Sequence, residues 1–138
     1  MINSRSPDDL HPKVKALALE FQKACAEKGM DILIYSTYRD GEAQNKLYAQ
    51  GRTEKGNIVT NARAGESMHN YHLAFDWVPM LHGKALWNDH VAYATCGKIA
   101  EDLGLEWAGR WSGKLKETAH CQFTGGLSLH DLQKGKTL

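Results

Sequence analysis

Residues 67–80 read SMHNYHLAFDWVPM, and the second half of this segment predicts a buried strand. Its residues are mostly apolar or aromatic, and neighbouring side chains of a strand point to opposite faces. One face carries Ala74, Asp76 and Val78. The other face carries three large apolar side chains, those of Leu73, Phe75 and Trp77. An aspartate between an alanine and a valine is out of place in a plain core, so Asp76 is a candidate functional residue.

The segment before this strand predicts two helices and another strand. Apolar residues recur at helical spacing from Pro12 to Gly29, where the glycine ends the pattern. The run 30–38 is short, apolar and rich in β-branched and aromatic residues, which is typical of a buried strand. Residues 40–50 predict a second helix. The polar stretch 52–66 has no periodicity and predicts a long loop, a kind of segment that is often functional or mobile.

The segment after the strand predicts a third helix and two short strands. Asn88 or Asp89 can cap a helix that continues to Gly104. Residues 105–107 and 119–123 predict the short strands. The helices and strands do not repeat as regular strand-helix-strand units, so we predict an α+β fold with a small antiparallel sheet.

Length and composition exclude several classes of protein. The 138 residues suffice for one ordinary domain and not for two, so residues 1–138 are predicted to form a single domain. Hydrophobic residues make up 42% and charged residues 24%, which is typical of a globular core. Lys and Arg number 17 against 16 Asp and Glu, and neither sign dominates any stretch. Binding to nucleic acid or to an anionic membrane is therefore not favoured.

The sequence also carries signals about compartment. No apolar run approaches the roughly 18 residues of a membrane span, and residues 1–9 lack the apolar region of a signal peptide. We therefore expect synthesis in the cytoplasm without a secretion signal, and no insertion into a membrane. Three widely spaced cysteines argue against a disulfide framework. Two of them, Cys25 and Cys96, are predicted core residues.

Two short clusters could hold a metal ion. His69 and His72 lie close to Asp76, and Glu117 precedes His120 by three residues. Imidazole nitrogen and carboxylate oxygen are good Zn²⁺ ligands, and a catalytic zinc site needs three of them plus a position open to water. The spacing alone is also compatible with surface or hydrogen-bonded core residues. A helical His-Glu-x-x-His motif is absent.

Three ordered matches resolve this choice. Residues 67–76 resemble the Ser-x-His-x-x-Gly-x-Ala-x-Asp signature of the D-Ala-D-Ala peptidases, the M15 or VanY-like zinc peptidases. Glu117 and His120 resemble the second signature of that family, an acid three residues before the third zinc ligand. The segment 36–51, with Tyr38-Arg39 and Leu47-Tyr48, is similar to its Tyr-Arg-Ser…Gln…Leu-Tyr…Gly segment. Together the matches span most of the chain.

This resemblance implies a role for each matching residue. It implies that zinc is bound by three residues, His69, Asp76 and His120. It implies that Glu117 is the catalytic acid and base, and that Arg39 holds the substrate or stabilises the developing oxyanion. Gln44 and Ser67 are implied as lesser substrate contacts. It also implies a hedgehog-like or D,D-peptidase-like fold, with the zinc on a sheet face and the helices packed behind the sheet.

One residue departs from the family pattern. His72 stands where the family has glycine, at a position where glycine permits a tight turn. His72 could be a spectator, a substrate contact or a competing ligand. Cys121 follows His120, and we expect it to be a packed strand residue, because a fourth ligand would leave no position for water.

The resemblance also implies a substrate, since members of the family cut the stem peptides of bacterial cell walls. A short chain without signal or wall-binding module is most similar to the phage endolysins of the family, which are L-alanyl-D-glutamate endopeptidases. Such a protein would be a monomer that accumulates in the host cytoplasm and reaches peptidoglycan when a holin opens the membrane. The alternatives are a D-alanyl-D-alanine carboxypeptidase or dipeptidase with the same zinc site, and a non-catalytic zinc-containing module that binds the wall.

Overall fold

In a computed structural model that describes residues 1–138, two long helices pack against a five-stranded antiparallel sheet. The helices are α1 (Pro12–Glu27), α2 (Gly41–Ala49), α3 (His90–Asp102) and α4 (Leu129–Gln133). The strands are β1 (Asp31–Ser36), β2 (Ala74–Leu81), β3 (Lys84–Ala85), β4 (Glu106–Trp107) and β5 (His120–Gln122). None of the helices combines the length and the apolar composition that a membrane span requires.

The sheet is organised around β2, which pairs with β1, β3 and β5. The order is β1-β2-β5-β4, and the short strand β3 pairs with the end of β2. Pairing of β1 with β2 shifts by one residue between Ile34 and Ser36, so that Ser36 rather than Tyr35 pairs with Asp76. A β-bulge of this kind re-aims side chains and is common beside active sites.

The core lies between the sheet and the two long helices. Phe21 of α1 packs edge-on against Trp77 of β2, with ring centroids 5.0 Å apart. Trp77 also packs against Tyr93 of α3 and donates a hydrogen bond to Cys121 Sγ at 3.2 Å. All three cysteines are buried and free. The large apolar face predicted for β2 is therefore the face that meets the helices.

The predicted α+β class and the predicted long elements are confirmed. Asp89 caps α3 by accepting a hydrogen bond from Ala92 N at 3.0 Å, and α1 begins at Pro12. The structure also contains four short 3-10 turns and the strand β3, which are too short to show a hydrophobic period and are therefore not predicted from the sequence.

Candidate active site

Two of the predicted metal ligands lie next to each other on adjacent strands of the sheet. Asp76 on β2 pairs directly with His120 on β5. Directly opposed residues of antiparallel strands project from the same face with their side chains close together. The His120 Nδ1 atom lies 3.4 Å from Asp76 Oδ1, on the sheet face opposite the large apolar side chains of β2.

The third predicted ligand comes from the turn that enters β2. His69 lies in a 3-10 turn, Met68–Tyr71, whose first backbone amides are capped by Ser67. Asn70 fastens this turn to the segment after β1 by donating a hydrogen bond to the Arg39 carbonyl at 2.9 Å. The turn holds the His69 ring in a buried position, with Nε2 3.2 Å from Asp76 Oδ1.

Hydrogen bonds decide which nitrogen each histidine presents. The Nδ1–H of His69 donates to the Thr37 carbonyl at 2.7 Å, which leaves Nε2 toward Asp76. The Nε2–H of His120 donates to Gln122 Oε1 at 2.9 Å, which leaves Nδ1 toward Asp76. Such partners orient metal-binding imidazoles and raise their basicity.

The three side chains form a donor set that fits Zn²⁺. One ligand atom from each of His69, Asp76 and His120 lies within 4.8 Å of the other two. Two imidazole nitrogens and one carboxylate oxygen are a typical catalytic zinc set, which leaves a position for water or substrate. Both histidines are buried and oriented, which a solvated surface cluster would not require.

The electrostatics of the cluster favour the metal-binding protonation states of Asp76 and His69. Burial by itself would raise the pKa of the Asp76 carboxyl, but the adjacent histidines hold that pKa far below its usual range. Burial lowers the pKa of His69. At His120 burial acts in the same direction, but the adjacent Asp76 carboxylate outweighs it and raises the pKa of His120. An ionised carboxylate and neutral imidazoles are the forms that bind a metal ion, so metal binding must displace a proton from His120 wherever that residue is protonated.

Arg39 lies beside the cluster and is fixed on two sides. Its Nη2 atom is 3.5 Å from Asp76 Oδ2, and its Nη1 donates to Gln44 Oε1 at 3.1 Å. Gln44 in turn donates to the Ala62 carbonyl at 2.8 Å and is fully buried. Gln44 was predicted to contact substrate, but its buried amide contacts Arg39 and Ala62 instead. We therefore assign it a positioning role toward Arg39.

Glu117 stands at the open side of the cluster. Its Oε2 atom is 3.6 Å from His120 Nδ1, and 55% of its side chain is exposed. A carboxylate in this place is close to the metal donors without being one of the buried ligand set. It is accessible to a water molecule and to a substrate, as a general base must be.

The cluster opens into a groove of about 950 Å³. Arg39, His69, Asp76, Glu117 and His120 all line it, and so does Ser67. Its other walls come mainly from the N-terminal segment, the end of β1, the loop before the His69 turn and the segment 111–119. A groove of this size accommodates a peptide segment.

His72 does not join the metal donors. Its ring stacks on Tyr38 with centroids 3.8 Å apart, and its Nδ1–H donates to the Asp9 carbonyl at 2.6 Å. His72 has a φ of 64°, in the left-handed region that the family's glycine adopts readily. Its backbone adopts the tight turn that the sequence predicts for a glycine, and its side chain does not belong to the ligand set. Cys121 is a buried strand residue, as predicted.

The residues that orient the ligands are not among those predicted from the sequence. Gln122 holds His120, and its Nε2 donates to Glu106 Oε2 at 3.4 Å, which fixes the direction of the amide. Gln122 is two residues from His120 on one strand, so the period of two could have placed both on one face. Thr37 orients His69 through its backbone carbonyl oxygen. A backbone contact of this kind leaves no pattern of side chains in the sequence.

A largely buried His-Asp-His donor set on an antiparallel sheet, with a carboxylate and an arginine beside it, fits the site of a metallopeptidase. The chain belongs to the VanY family, described as D-alanyl-D-alanine carboxypeptidase, whose pattern matches residues 7–125. It is therefore a hydrolytic peptidase of a peptidoglycan-cleaving family, with Zn²⁺ as the cofactor that its site fits.

The chain is also similar to two L-alanyl-D-glutamate peptidases. The chain is 42% identical over 125 residues to the peptidoglycan L-alanyl-D-glutamate endopeptidase CwlK of Bacillus subtilis, covering 84% of this chain and 74% of CwlK. It is 34% identical over 122 residues to the L-alanyl-D-glutamate peptidase of Listeria phage A118, covering 83% of this chain but only 38% of the phage protein.

A solved structure supports the fold. The D,D-pentapeptidase VanY of a VanB-type resistance cassette, solved in complex with Zn(II), superposes with a TM-score of 0.63 at 14% identity. The match covers 91% of this chain and 76% of that structure. The fold class predicted from the sequence is the fold of this zinc-binding peptidase.

Proposed function

We propose that this protein is a zinc-dependent endopeptidase that cleaves the bond between L-alanine and D-glutamate in the peptidoglycan stem peptide. One observation carries the proposal: a complete His69, Asp76 and His120 donor set, with Glu117 beside it, lies in one groove. The identity of 42% to an L-alanyl-D-glutamate endopeptidase supports this choice of bond.

The residues of the chain have distinct tasks in this reaction. His69, Asp76 and His120 would hold Zn²⁺, which when bound polarises a carbonyl and lowers the pKa of water. Glu117 takes the proton of the attacking water at its carboxylate and later delivers it to the leaving amine. Its exposure in the groove lets it reach both positions.

Arg39 supplies positive charge to the same reaction. Its guanidinium lies in the groove with about a tenth of its side chain exposed and is held in place by Asp76 and Gln44. A preorganised donor beside a tetrahedral oxyanion is typically worth a few kcal/mol of the barrier. Ser67, at the start of the His69 turn, lines the groove and is proposed as a lesser substrate contact.

Carboxypeptidase activity is the second candidate, because the family pattern is described by the removal of D-alanine. A D-alanyl-D-alanine carboxypeptidase or dipeptidase would use the same donor set and differ only in the bond that it cleaves. A non-catalytic wall-binding module would need no general base, whereas Glu117 is retained beside the donors.

The biological role that we propose is that of a phage endolysin. The similarity to the Listeria phage A118 peptidase supports it. In this role the protein is a monomer in the host cytoplasm and reaches peptidoglycan, its only proposed macromolecular partner, after a holin has opened the membrane. Lysis of a host that expresses the protein with a holin, and survival of one that expresses it alone, would support this localisation.

Mass spectrometry of digested peptidoglycan tests the activity itself. Purified peptidoglycan is incubated with the protein, with the protein plus a chelator, and with zinc restored after chelation. We expect new L-Ala carboxyl and D-Glu amino termini that disappear with the chelator and return with zinc. Free D-Ala or D-Ala-D-Ala would assign the carboxypeptidase or dipeptidase activity instead. Bound zinc without any new termini would indicate the binding module.

A further inference from the structure

The N-terminal segment forms one wall of the active-site groove. It runs antiparallel to the residues that follow β1, with a β-bridge between Asn3 and Arg39. Ser4 N donates to the Tyr38 carbonyl and Thr37 N donates to the Ser4 carbonyl, both at 2.8 Å. These bonds attach the segment to the backbone that carries Arg39.

Alternate residues of this segment have different surroundings. Ser4 Oγ donates to Asp9, and Ser6 Oγ caps the first 3-10 turn by accepting from Asp8 N. Asn3 precedes Ser4, and Arg5 lies between the two serines. Both of these residues line the groove. This is the alternation that an extended chain imposes, with residues two apart on one face.

Arg5 is a cation without a partner inside the protein. It is exposed and makes no ion pair, side-chain hydrogen bond or aromatic contact anywhere in the 138 residues. Arg39, by contrast, has Asp76 and Gln44 as partners and is largely buried. Arg5 is therefore the groove arginine whose planar guanidinium remains available to a ligand, and the ligand that suits it is a carboxylate.

The proposed substrate offers such a carboxylate next to the bond that is cut. A glutamate whose amine is acylated by alanine has two carboxyl groups, and the peptide continues through only one of them. The other remains as a charge on the residue that supplies the leaving amine. We propose that Arg5, assisted by the amide of Asn3, binds this free carboxylate and selects glutamate after the cleaved bond. This inference rests on the proposed endopeptidase function.

Two matched peptides test the role of Arg5. Both contain the L-Ala-D-Glu bond, and they differ only in whether the free carboxyl of glutamate is a carboxylate or a primary amide. The wild-type protein should have a lower KM for the carboxylate peptide. Arg5→Gln should raise that KM roughly tenfold or more, the loss expected for one hydrogen bond to a charged group, with little change in kcat or in KM for the amide. Arg5→Lys should restore part of the preference.

The control variant is Lys84→Gln, which removes an exposed cation on β3 that does not line the groove. It should leave both KM values unchanged. Equal KM values of the wild-type protein for the two peptides would overturn the proposal, and so would an equal loss on both peptides in Arg5→Gln. If the wild-type protein cleaves neither peptide, the endopeptidase function itself fails and the role of Arg5 fails with it. If the wild-type protein cleaves both peptides with equal KM, only the proposed role of Arg5 is excluded.

Discussion

At the scale of single residues, the two histidines of the cluster use different nitrogens for the same task. His69 presents Nε2 because its Nδ1–H donates to a backbone carbonyl. His120 presents Nδ1 because its Nε2–H donates to Gln122. The residue types at the site follow from the sequence, but this choice of nitrogen depends on neighbours that only the folded chain brings together.

Glu117→Gln should separate catalysis from metal binding. The substitution keeps the shape of the side chain but removes the base, so kcat should fall by roughly 10²-fold to 10⁴-fold. Zinc content should stay at the wild-type level, because the donor set does not include Glu117. Turnover of a stem peptide and metal analysis of the same sample measure both quantities.

Glu20→Gln is the control for this substitution, since Glu20 is exposed on α1 away from the groove. It should preserve activity. Activity of Glu117→Gln close to that of the control would show that another group is the base.

Gln122→Met should weaken zinc binding without touching a ligand. The substitution removes the acceptor of His120 Nε2–H and leaves that buried donor without its partner. Loss of such an orienting partner typically lowers metal affinity 10-fold to 100-fold. Competition with a chromophoric chelator measures the affinity. Gln22→Met on α1 is the control, because the Gln22 side chain is only half-buried, makes no hydrogen bond and does not line the groove. It should match the wild-type protein, and a zinc affinity of Gln122→Met equal to that of this control would contradict the prediction.

At the scale of elements, the sequence predicts the helices and strands but not their register. Hydrophobic periodicity locates β2 and β5, and a period of two puts Asp76 on the face opposite Phe75 and Trp77. Whether Asp76 pairs with His120 or with a neighbour of it depends on the exact pairing of two strands far apart in sequence. The bulge at Tyr35 is likewise a property of pairing, and it has no local sequence signal.

Asp40 joins the N-terminal segment to α2 and should make stability depend on pH. Its two carboxylate oxygens accept hydrogen bonds from Ala43 N at 2.9 Å and from Ile2 N at 2.7 Å. These bonds, chiefly that from Ala43, lower the pKa of Asp40. A depressed pKa means that the stabilisation is fully present above the unfolded-state pKa, about 3.9, and is lost as the pH falls through the folded-state pKa.

Asp40→Asn should therefore lower the urea midpoint at pH 7, and its difference from the wild-type protein should shrink as the pH approaches 3. Asp31→Asn, which removes an exposed carboxylate on β1, is the control. A difference for Asp40→Asn that stays constant between pH 7 and pH 3 would contradict the ionic contribution.

At the scale of the whole molecule, the sheet separates the hydrophobic core from the active-site groove. The helices α1 and α3 cover one face, and the groove lies over the face that carries Asp76 and His120. The site is assembled from segments spread between the N-terminal residues and β5, so it exists only when the sheet is complete. The sequence motifs identify the ligands and the base, whereas the groove wall made by Asn3 and Arg5 follows only from tertiary pairing.

Because the three proposed ligands come from separate elements, zinc should stabilise the whole fold. A ligand that binds only the folded state adds about 2.7 kcal/mol when its free concentration is about 100 times Kd. For a chain of this size, 1 kcal/mol corresponds to roughly 3 °C in Tm, so we expect a rise of roughly 8 °C. Thermal unfolding of chelated and zinc-loaded protein measures it. His120→Ala should lose zinc, activity and this rise together, because it removes one of three donors. A variant that keeps both the zinc and the rise in Tm would exclude His120 as a ligand, since loss of one donor must weaken the binding that links β2, β5 and the His69 turn.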